Sequence, residues 1–559
     1  MKRNPPVNPF DASRCIGSVF EVGPNSAGVT LSNLASTLAE VGGFVVVECG
    51  DCVLFGRLSG VQSPYRDATR NGSGAETPEH RTGTIELLTT IRVDGTNALR
   101  GIERYPHPGS RVYPASAQLL RWLFECGQLG EINDARGEPV ILNLMSLTDG
   151  TQIGLAPERL FGHHCAIVGA TGVGKSWTMA RLIEESARYS AKMILFDSTG
   201  EFHTVTSGVR HVHLGTDPSE QELSHEVAMP YNDLTESDLF ALFKPGGPTQ
   251  GPKLRAAIKS LKLARVPNLA TGGVVLKAGR LKFPFEAAYA AKSREIEDPR
   301  ANFDISKLPA QIDAECVFPT GGFSSNPDPT RWGAPNDVER GNCVNLITRI
   351  EDMLHAPELA CVFRAREKKA IFDEIESFIQ DDAARVLRIS LKYLPFAHDV
   401  REIVANAIGR HMLDLARSGG LGIRPVVILL DEAHHFLNQG ITEENVRYPL
   451  DSFDLIAKEG RKLSLNFCIA TQRPRDIPEG VLSQIGTFIV HRLNNDLDRT
   501  AVESASGEAD RSVMAFIPGL GEGQAVIIGA DIPLPLAVQI LKPAEPPDSR
   551  GPDYQGQWR

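Results

Sequence analysis

Apolar and polar positions follow different patterns before and after about residue 150. The first region holds short apolar runs such as IGSVFEVG, GGFVVVEC and TIELLTTIRV, which Gly, Pro and Asn residues separate. Short strands with frequent turn residues are typical of small antiparallel barrels. The pattern therefore predicts a β-barrel over residues 1–150, with a polar, mobile loop at 62–83.

Cys49 and Cys52 form the close cysteine pair of this region. Gly50 and Asp51 stand between them and between two apolar, β-branched runs, which favours a hairpin turn. A CxxC sequence also occurs as half of a zinc site or as a redox pair, but no second pair follows at metal-binding spacing. We adopt the hairpin, and a metal or redox role is the alternative.

From about residue 151 the apolar runs become longer. The stretch HHCAIVGATGVGKSWTMARLIEESARYSAKMILFD predicts a strand, a glycine-rich turn, a helix and a strand, which is a βαβ unit. The runs PVVILLDEAHHF, LNFCIATQRP and GTFIVHRL repeat the pattern of parallel strands that are buried on both faces. The sequence thus predicts an α/β core with a parallel sheet, formed by residues 151–228 and 421–530.

A long insertion separates the two parts of this core. The segments EKKAIFDEIESFIQ, AARVLRISLKYL and REIVANAIGRHMLDLARS carry apolar residues at steps of three and four, which predicts a helical subdomain over 229–420. The Gly- and Pro-rich stretch 319–335 predicts an exposed loop within it. Residues 531–559 end in a Pro-rich stretch and are expected to form a C-terminal arm, laid on a neighbour or loose.

Composition narrows the class of protein. The chain has 559 residues, of which 42% are hydrophobic and 23% charged, which excludes a wholly disordered or fibrous protein. A net charge of -11 argues against a protein whose whole outer surface binds nucleic acid. The nine scattered cysteines, the lack of an apolar run of about 18 residues and the lack of a secretory start favour a cytoplasmic protein without a membrane anchor.

The clearest chemical motif is GATGVGKS at residues 169–176, which matches the phosphate-binding pattern GxxxxGK[ST]. Glycines let backbone amides converge on phosphate oxygens, and the following helix adds the positive end of its dipole. Lys175 would neutralise phosphate charge and the Ser176 hydroxyl would bind Mg²⁺. The predicted ATP contacts are Gly169, Thr171, Gly172, Val173, Gly174, Lys175, Ser176 and Trp177.

Three further strand ends carry polar residues that suit nucleotide hydrolysis. Asp431 ends VVILLD and would hold Mg²⁺, and Glu432 would activate the attacking water, although an aspartate there is also a common helix cap. Gln472 in CIATQRP would sense the γ-phosphate, unless it is simply a polar strand end. Asp197 in FDSTGEF would, with Glu201, tune the Mg²⁺ or the water, or else cap the next helix.

Taken in order, these motifs resemble the HerA family of FtsK/HerA ATPases, of bacterial type, with the strongest match over 151–205 and 425–530. The resemblance implies a RecA-like P-loop core and an N-terminal barrel of the HAS type. The tetrapeptide at 431–434 is not a DEAH-helicase box, because a whole inserted domain separates Lys175 from Asp431 and ATQRP follows.

The resemblance also implies an assembly and partners. Family members form rings, usually hexamers, that hydrolyse ATP between subunits and move double-stranded DNA through the pore. Arg461 and Arg492, with Lys458 behind them, are candidates for the cation that a neighbouring subunit supplies. His163 stands where family members often carry an arginine, which leaves that nucleotide contact in doubt. A separate effector is expected, such as a NurA-type nuclease or a sirtuin-type NAD-consuming enzyme, in DNA end processing or antiphage defence.

Two other functions fit the same motifs less well. In the first alternative, the ring acts chiefly as an ATP-dependent scaffold that activates a partner enzyme, with little translocation. A conjugative coupling ATPase or a chromosome-segregating pump is less favoured, because such proteins usually carry membrane anchors.

A basic segment interrupts the acidic average of the chain. Residues 239–285 contain no Asp or Glu, and PKLRAAIKSLKLARV within them predicts a basic amphipathic helix. It would face DNA phosphates, an acidic partner or solvent. The nine cationic residues are Lys244, Lys253, Arg255, Lys259, Lys262, Arg265, Lys277, Arg280 and Lys282.

Overall fold

The computed structural model describes residues 9–32, 40–62, 81–92, 98–126, 139–216, 224–300, 302–323, 326–365, 368–422, 424–437, 441–443, 446–507, 511–549 and 554–558. The chain divides into two compact units. Unit 1 comprises Met1–Tyr189, Ala470–Arg475 and Leu482–Pro546, and unit 2 comprises Ser190–Ile469, Asp476–Val481 and Pro547–Arg559.

Unit 1 begins with the predicted barrel. Its strands are β1 Gly17–Val22, β2 Ser26–Leu31, β3 Phe44–Cys49, β4 Cys52–Gln62, β5 Arg81–Arg92, β6 Ala98–Arg100 and β7 Arg111–Pro114, followed by helix α1 Ala117–Cys126. The order β2-β1-β7-β3-β4-β5 closes through antiparallel β2–β5 pairing, and β6 extends from β5. Inward side chains such as Val47, Leu54 and Ile85 are fully buried, and each contributes about 1.5–3 kcal/mol through the hydrophobic effect.

The cysteine pair lies at the β3–β4 hairpin. Cys49 stands directly opposite Cys52 in the register of the two strands, and Gly50 has a φ of +67° in the turn between them. The predicted hairpin is therefore confirmed. The predicted loop at 62–83 falls mostly outside the described residues.

Unit 1 continues into elements of the α/β core. They are β8 Leu142–Ser146, β9 Gln152–Leu155, α2 Pro157–Phe161, β10 Cys165–Val168 and α3 Lys175–Ala187. Strand β10 is buried along its whole length, as its continuous apolar sequence predicts.

Unit 2 supplies parallel strands and most of the helices. Its sheet follows the order β13-β12-β16-β11-β17-β20 and carries two small hairpins, β14–β15 and β18–β19, outside it. The strands are β11 Lys192–Asp197, β12 Val209–Leu214, β13 His225–Val227, β14 Gly321–Phe323, β15 Asn326–Asp328, β16 Val386–Ser390, β17 Val426–Leu430, β18 Ile441–Glu443, β19 Val446–Tyr448 and β20 Leu465–Thr471.

The helices of unit 2 lie mainly between β13 and β17. They are α4 Glu236–Phe243, α5 Gly247–Leu263, α6 Phe283–Ile296, α7 Leu308–Glu315, α8 Asp337–His355, α9 Ala360–Phe363, α10 Ile371–Gln380, α11 Val400–Arg417, α12 Ser452–Glu459 and α13 Glu479–Leu482. Helix α5 contains the basic sequence, and α11 connects β16 to β17.

The rest of unit 1 contributes further strands and helices. Strand β21 Thr487–Val490 pairs in parallel with β10, and helices α14 Asp496–Ser506 and α15 Arg511–Met514 follow. Strands β22 Gln524–Ile528 and β23 Leu536–Ile540 then pair antiparallel, and β23 pairs with β8. A last short helix, α16, spans Tyr554–Gln557. Parallel strands around a P-loop, with antiparallel strands added and a closed N-terminal barrel, confirm the predicted fold class.

Two predicted segments fold differently. The helix expected within AARVLRISLKYL is wrong, because Val386–Ser390 forms β16, wholly buried between β11 and β12. A strand that is buried on both faces loses its alternation, so a short apolar run of this kind is easily mistaken for helix. Within the predicted C-terminal arm, Leu536–Ile540 is a strand of the sheet.

The predicted exposed loop at 319–335 includes the β14–β15 hairpin. Among the described residues, none of the helices has the length and apolar character needed to cross a membrane.

Candidate active site

The phosphate-binding loop has the predicted strand–turn–helix context. Strand β10 ends at Val168 and helix α3 begins at Lys175. Gly172 and Gly174 have φ values of +75° and +117°, which side-chain-bearing residues rarely adopt. A Cβ on Gly169 would lie 2.6 Å from the Cβ of a neighbouring histidine, so that position also requires glycine. The loop is thus shaped to turn backbone amides toward an anion at the start of a helix.

Three predicted site residues meet at this loop. The Lys175 Nζ donates to the carbonyl of Ala170 at 2.9 Å, so the amine lies over the loop. The Thr171 hydroxyl donates to Gln472 Oε1 at 2.6 Å, and the amide of Gly169 donates to the carbonyl of Thr471 at 3.3 Å. Gln472 is therefore placed directly against the phosphate-binding loop, as its strand-end position predicts.

Three other predicted contacts, Val173, Ser176 and Trp177, lie in the loop or in the first turn of the helix that follows it. Val173 is buried, and its carbonyl accepts a hydrogen bond from the amide of Gly523 at 3.0 Å. Ser176 and Trp177 lie half-buried in the first turn of α3. Val173 therefore fixes the loop through its backbone and its packing.

A buried histidine that the sequence analysis did not single out packs against the phosphate-binding loop. His491 follows β21; its Nδ1 donates to the carbonyl of Gln524 at 2.8 Å, which leaves Nε2 to accept the Thr178 hydroxyl at 2.8 Å. Burial lowers the pKa of His491 to about 4, and the nearby charge of Lys175 adds to the effect. The imidazole is therefore neutral at physiological pH, and its hydrogen bond to Thr178 holds the first turn of α3 in place.

The acidic pair lies in unit 2, at the end of β17. The five residues Val426–Leu430 are fully buried, and Asp431 follows them with 5% exposure. Glu432 has a φ of +49°, a left-handed conformation that is uncommon for a residue with a side chain, and its Oε2 lies 3.3 Å from His434 Nδ1. Such strain is concentrated at functional sites, so Glu432 is a strong candidate for a catalytic role.

Glu432 lines a cavity of about 300 Å³ within unit 2. Its walls come from the segments that follow β11, β16 and β17, that is, from the carboxyl ends of adjacent parallel strands. Burial raises the pKa of Glu402, a second carboxyl group in this cavity. The lining residues are Ser198, Thr199, Lys392, Phe396, Arg401, Glu402, Glu432, His435 and Phe436.

Asp197 lies at the end of β11 with both carboxylate oxygens engaged. They accept the amides of Gly200 at 2.8 Å and Phe202 at 3.1 Å, and one also accepts Arg388 Nε at 2.7 Å. The Asp197–Arg388 ion pair is fully buried. This geometry favours the capping alternative over a metal ligand, because Asp197 organises the 3₁₀-helix Glu201–Thr204. The sequence analysis did not predict the Arg388–Asp197 ion pair, because the segment that contains Arg388 was expected to be helical.

Comparisons with known proteins agree with the geometry. The family model described as "Helicase HerA, central domain" matches residues 142–269, which include the whole phosphate-binding loop. Residues 142–269 thus resemble the central domain of HerA helicases. With a complete P-loop, this chain is an ATPase of the helicase and translocase type.

Relatives extend the match beyond that domain. A probable helicase of Methanocaldococcus jannaschii, MJ1565, is 24% identical over 470 residues, 82% of this chain and 76% of its own length. The DNA double-strand break repair helicase HerA of Sulfurisphaera tokodaii is 22% identical over 493 residues, 82% of this chain and 85% of its own. The helicase of the same name from Pyrococcus furiosus is 38% identical over 116 residues, 21% of this chain and 20% of its own. The chain is thus similar to DNA repair helicases; a bacterial type stays a prediction.

The residues proposed as the cation that a neighbouring subunit supplies differ in placement. Arg492 is half-buried, and its carbonyl accepts the amide of Ala170 at 2.9 Å, so it lies beside the phosphate-binding loop of its own chain. Arg461 is exposed in the 3₁₀-helix Gly460–Leu463. Lys458 pairs with Asp454 at 2.6 Å. An exposed arginine is the better candidate for reaching a neighbouring subunit.

His163 precedes β10, whereas the phosphate-binding loop follows it. The four residues of β10 separate the two ends by roughly 13 Å at about 3.3 Å per residue. The His163 Nδ1 lies 2.8 Å from both carboxylate oxygens of Asp531. This placement argues against a contact between His163 and a nucleotide held by the same loop.

The basic segment is largely neutralised by acids from elsewhere in unit 2. Lys253, Lys259 and Lys277 contact Glu339 at 2.6 Å, Glu297 at 2.6 Å and Glu315 at 2.5 Å, respectively. Lys244 and Arg255 likewise pair with Asp399 and Glu236, both at 2.7 Å. The sequence run without acids therefore does not become an uncompensated positive surface along α5, which weakens its interpretation as a DNA-binding face.

Proposed function

We propose that this chain is the subunit of a hexameric ring that uses ATP hydrolysis to move double-stranded DNA through a central pore. The observation that carries the proposal is the phosphate-binding loop of unit 1, with Gln472 in contact with Thr171. Within unit 2, the strained Glu432 lines a cavity at the carboxyl ends of parallel strands, a position where α/β proteins place ligands.

ATP and Mg²⁺ are the ligands that this proposal requires, and the donor groups fit them. The left-handed glycines suit a triphosphate, and a hydroxyl and a carboxylate are the hard oxygen donors that Mg²⁺ prefers. Ser176 and Asp431 would hold the ion, which would shield phosphate charge. Lys175 would bind phosphate, Glu432 would take the proton of the attacking water, Gln472 would sense the γ-phosphate, and Arg461 of a neighbouring subunit would stabilise the developing charge.

The ring would act with a separate effector enzyme in DNA end processing or antiphage defence. The repair role in the names of two relatives favours a NurA-type nuclease. A sirtuin-type NAD-consuming enzyme is the partner expected for a defence role. The barrel is the part of the chain that we expect to bind this effector.

Displacement of a third strand from duplex DNA tests translocation directly. The protein should release a triplex-forming oligonucleotide with ATP, whereas Lys175→Ala and Glu432→Gln should not. Glu295→Gln, which alters an exposed carboxylate of α6, is the matched control and should behave as the unmodified protein. ATP hydrolysis without displacement would contradict translocation and favour the scaffold.

A further inference from the structure

A buried arginine ties together two loops that line the Glu432 cavity. Arg401, in the first turn of α11, is 7% exposed. Its guanidinium donates to the carbonyls of Ser198 at 3.1 Å, Leu394 at 2.8 Å and Lys392 at 2.8 Å. The segments after β11 and β16 are thereby fixed to one side chain, and the direction of the Ser198 backbone is set.

Ser198 passes this constraint to the acidic pair. Its hydroxyl donates to the carbonyl of Asp431 at 2.9 Å, and the amide of Asp431 donates to the carbonyl of Phe196 at 3.1 Å. Ser198 is 6% exposed, so water does not compete freely for this hydrogen bond. The Asp431 carbonyl belongs to the peptide unit that precedes Glu432, and the orientation of that unit determines the φ of Glu432.

We propose that Ser198, held by Arg401, is a positioning residue that keeps Glu432 in its left-handed conformation at the cavity. A left-handed residue with a side chain persists when its surroundings constrain it, and the Ser198 hydrogen bond supplies such a constraint. The inference rests on the proposed function, in which Glu432 activates water. Without the hydroxyl, Glu432 relaxes and its carboxylate leaves the position from which it takes a proton.

A positioning role has a kinetic signature that a merely structural role lacks. The hydroxyl lies in unit 2 and does not belong to the phosphate-binding loop, so its loss lowers the rate of the chemical step and leaves ATP affinity unchanged. A displacement of about 1 Å in a catalytic group can cost about a hundredfold in rate. General damage to the fold would change KM and thermal stability together with kcat.

The test compares ATPase kcat and KM of Ser198→Ala, Ser198→Thr and the matched control Ser390→Ala in the full chain. Ser390 is a buried serine at the end of β16, and its hydroxyl makes no hydrogen bond among the described residues. We expect Ser198→Ala to lower kcat by about tenfold to a hundredfold with KM within about twofold. Ser198→Thr, which keeps the hydroxyl, should restore most of the rate, and Ser390→Ala should change neither constant.

Glu432→Gln separates failure of the inference from failure of the proposed function. An active Glu432→Gln enzyme would overturn the role of Glu432 and the inference with it. An inactive Glu432→Gln together with an unchanged kcat in Ser198→Ala, or a KM that rises as kcat falls, would overturn the inference alone. If Ser198→Ala unfolds, Ser198→Cys replaces it: the near-isosteric thiol is a weak donor, so a reduced kcat supports the inference and an unchanged kcat overturns it.

Discussion

Replacing Arg388 by methionine tests whether Asp197 is a buried cap or a metal ligand. The substitution leaves the fully buried carboxylate of Asp197 without its cation and removes the contact from Arg388 Nη2 to the carbonyl of Gly200 at 3.2 Å. Breaking a buried ion pair on one side typically costs about 3–5 kcal/mol. Because two backbone amides still stabilise Asp197, we expect the lower end, about 3 kcal/mol.

Thermal unfolding without nucleotide or Mg²⁺ measures this cost. At about 2–4 °C per kcal/mol, the transition of the affected unit should fall by about 6–12 °C. Arg424→Met is the matched control, because Arg424 pairs with Asp382 at the surface, where an ion pair contributes about 1 kcal/mol or less. Asp197→Asn should also unfold earlier in the absence of metal. Equal transitions for Arg388→Met and Arg424→Met would refute the capping interpretation.

Three further predictions concern the phosphate-binding loop and the basic helix. Gln472→Ala should lower kcat at least tenfold while a fluorescent ATP analogue binds with unchanged affinity; a parallel loss of affinity would contradict a sensing role. Since burial lowers the pKa of His491 to about 4, the folded state binds fewer protons than the unfolded state between about pH 4 and 6.5. Stability should therefore fall as the pH falls through that window, and His491→Asn should flatten this dependence in thermal unfolding; an unchanged slope would contradict the assignment. Reversing the charges of Lys253, Arg255 and Lys259 should lower stability but leave the salt slope of DNA binding within about one unit; a larger decrease would show that these residues contact phosphates.

The sequence predicted the parts of the site that depend on local chemistry. A glycine-rich turn between a buried strand and a helix can form few other structures, so the sequence predicted the local fold around Gly172, Gly174 and Lys175. Glu432 and Gln472 were predicted as site residues because each closely follows a continuous apolar strand. The barrel followed from short alternating runs.

Contacts between side chains that lie far apart in the chain could not be predicted from the sequence. Arg388 was missed because a strand buried on both faces has no distinctive period, and its partner Asp197 is 191 residues away. His491 resembles any polar residue at a strand end until Thr178 and Gln524 are brought to it. The run of cations between 239 and 285 suggested an open charge surface, because the acids that neutralise it lie outside that run.

The ATPase rate with and without linear duplex DNA, measured together with the mass of the protein in solution, tests the central claim most directly. A DNA-driven motor predicts a ring whose ATP hydrolysis increases with DNA and disappears in Glu432→Gln. A ring that hydrolyses ATP slowly and at the same rate without DNA would contradict the motor and indicate an assembly scaffold.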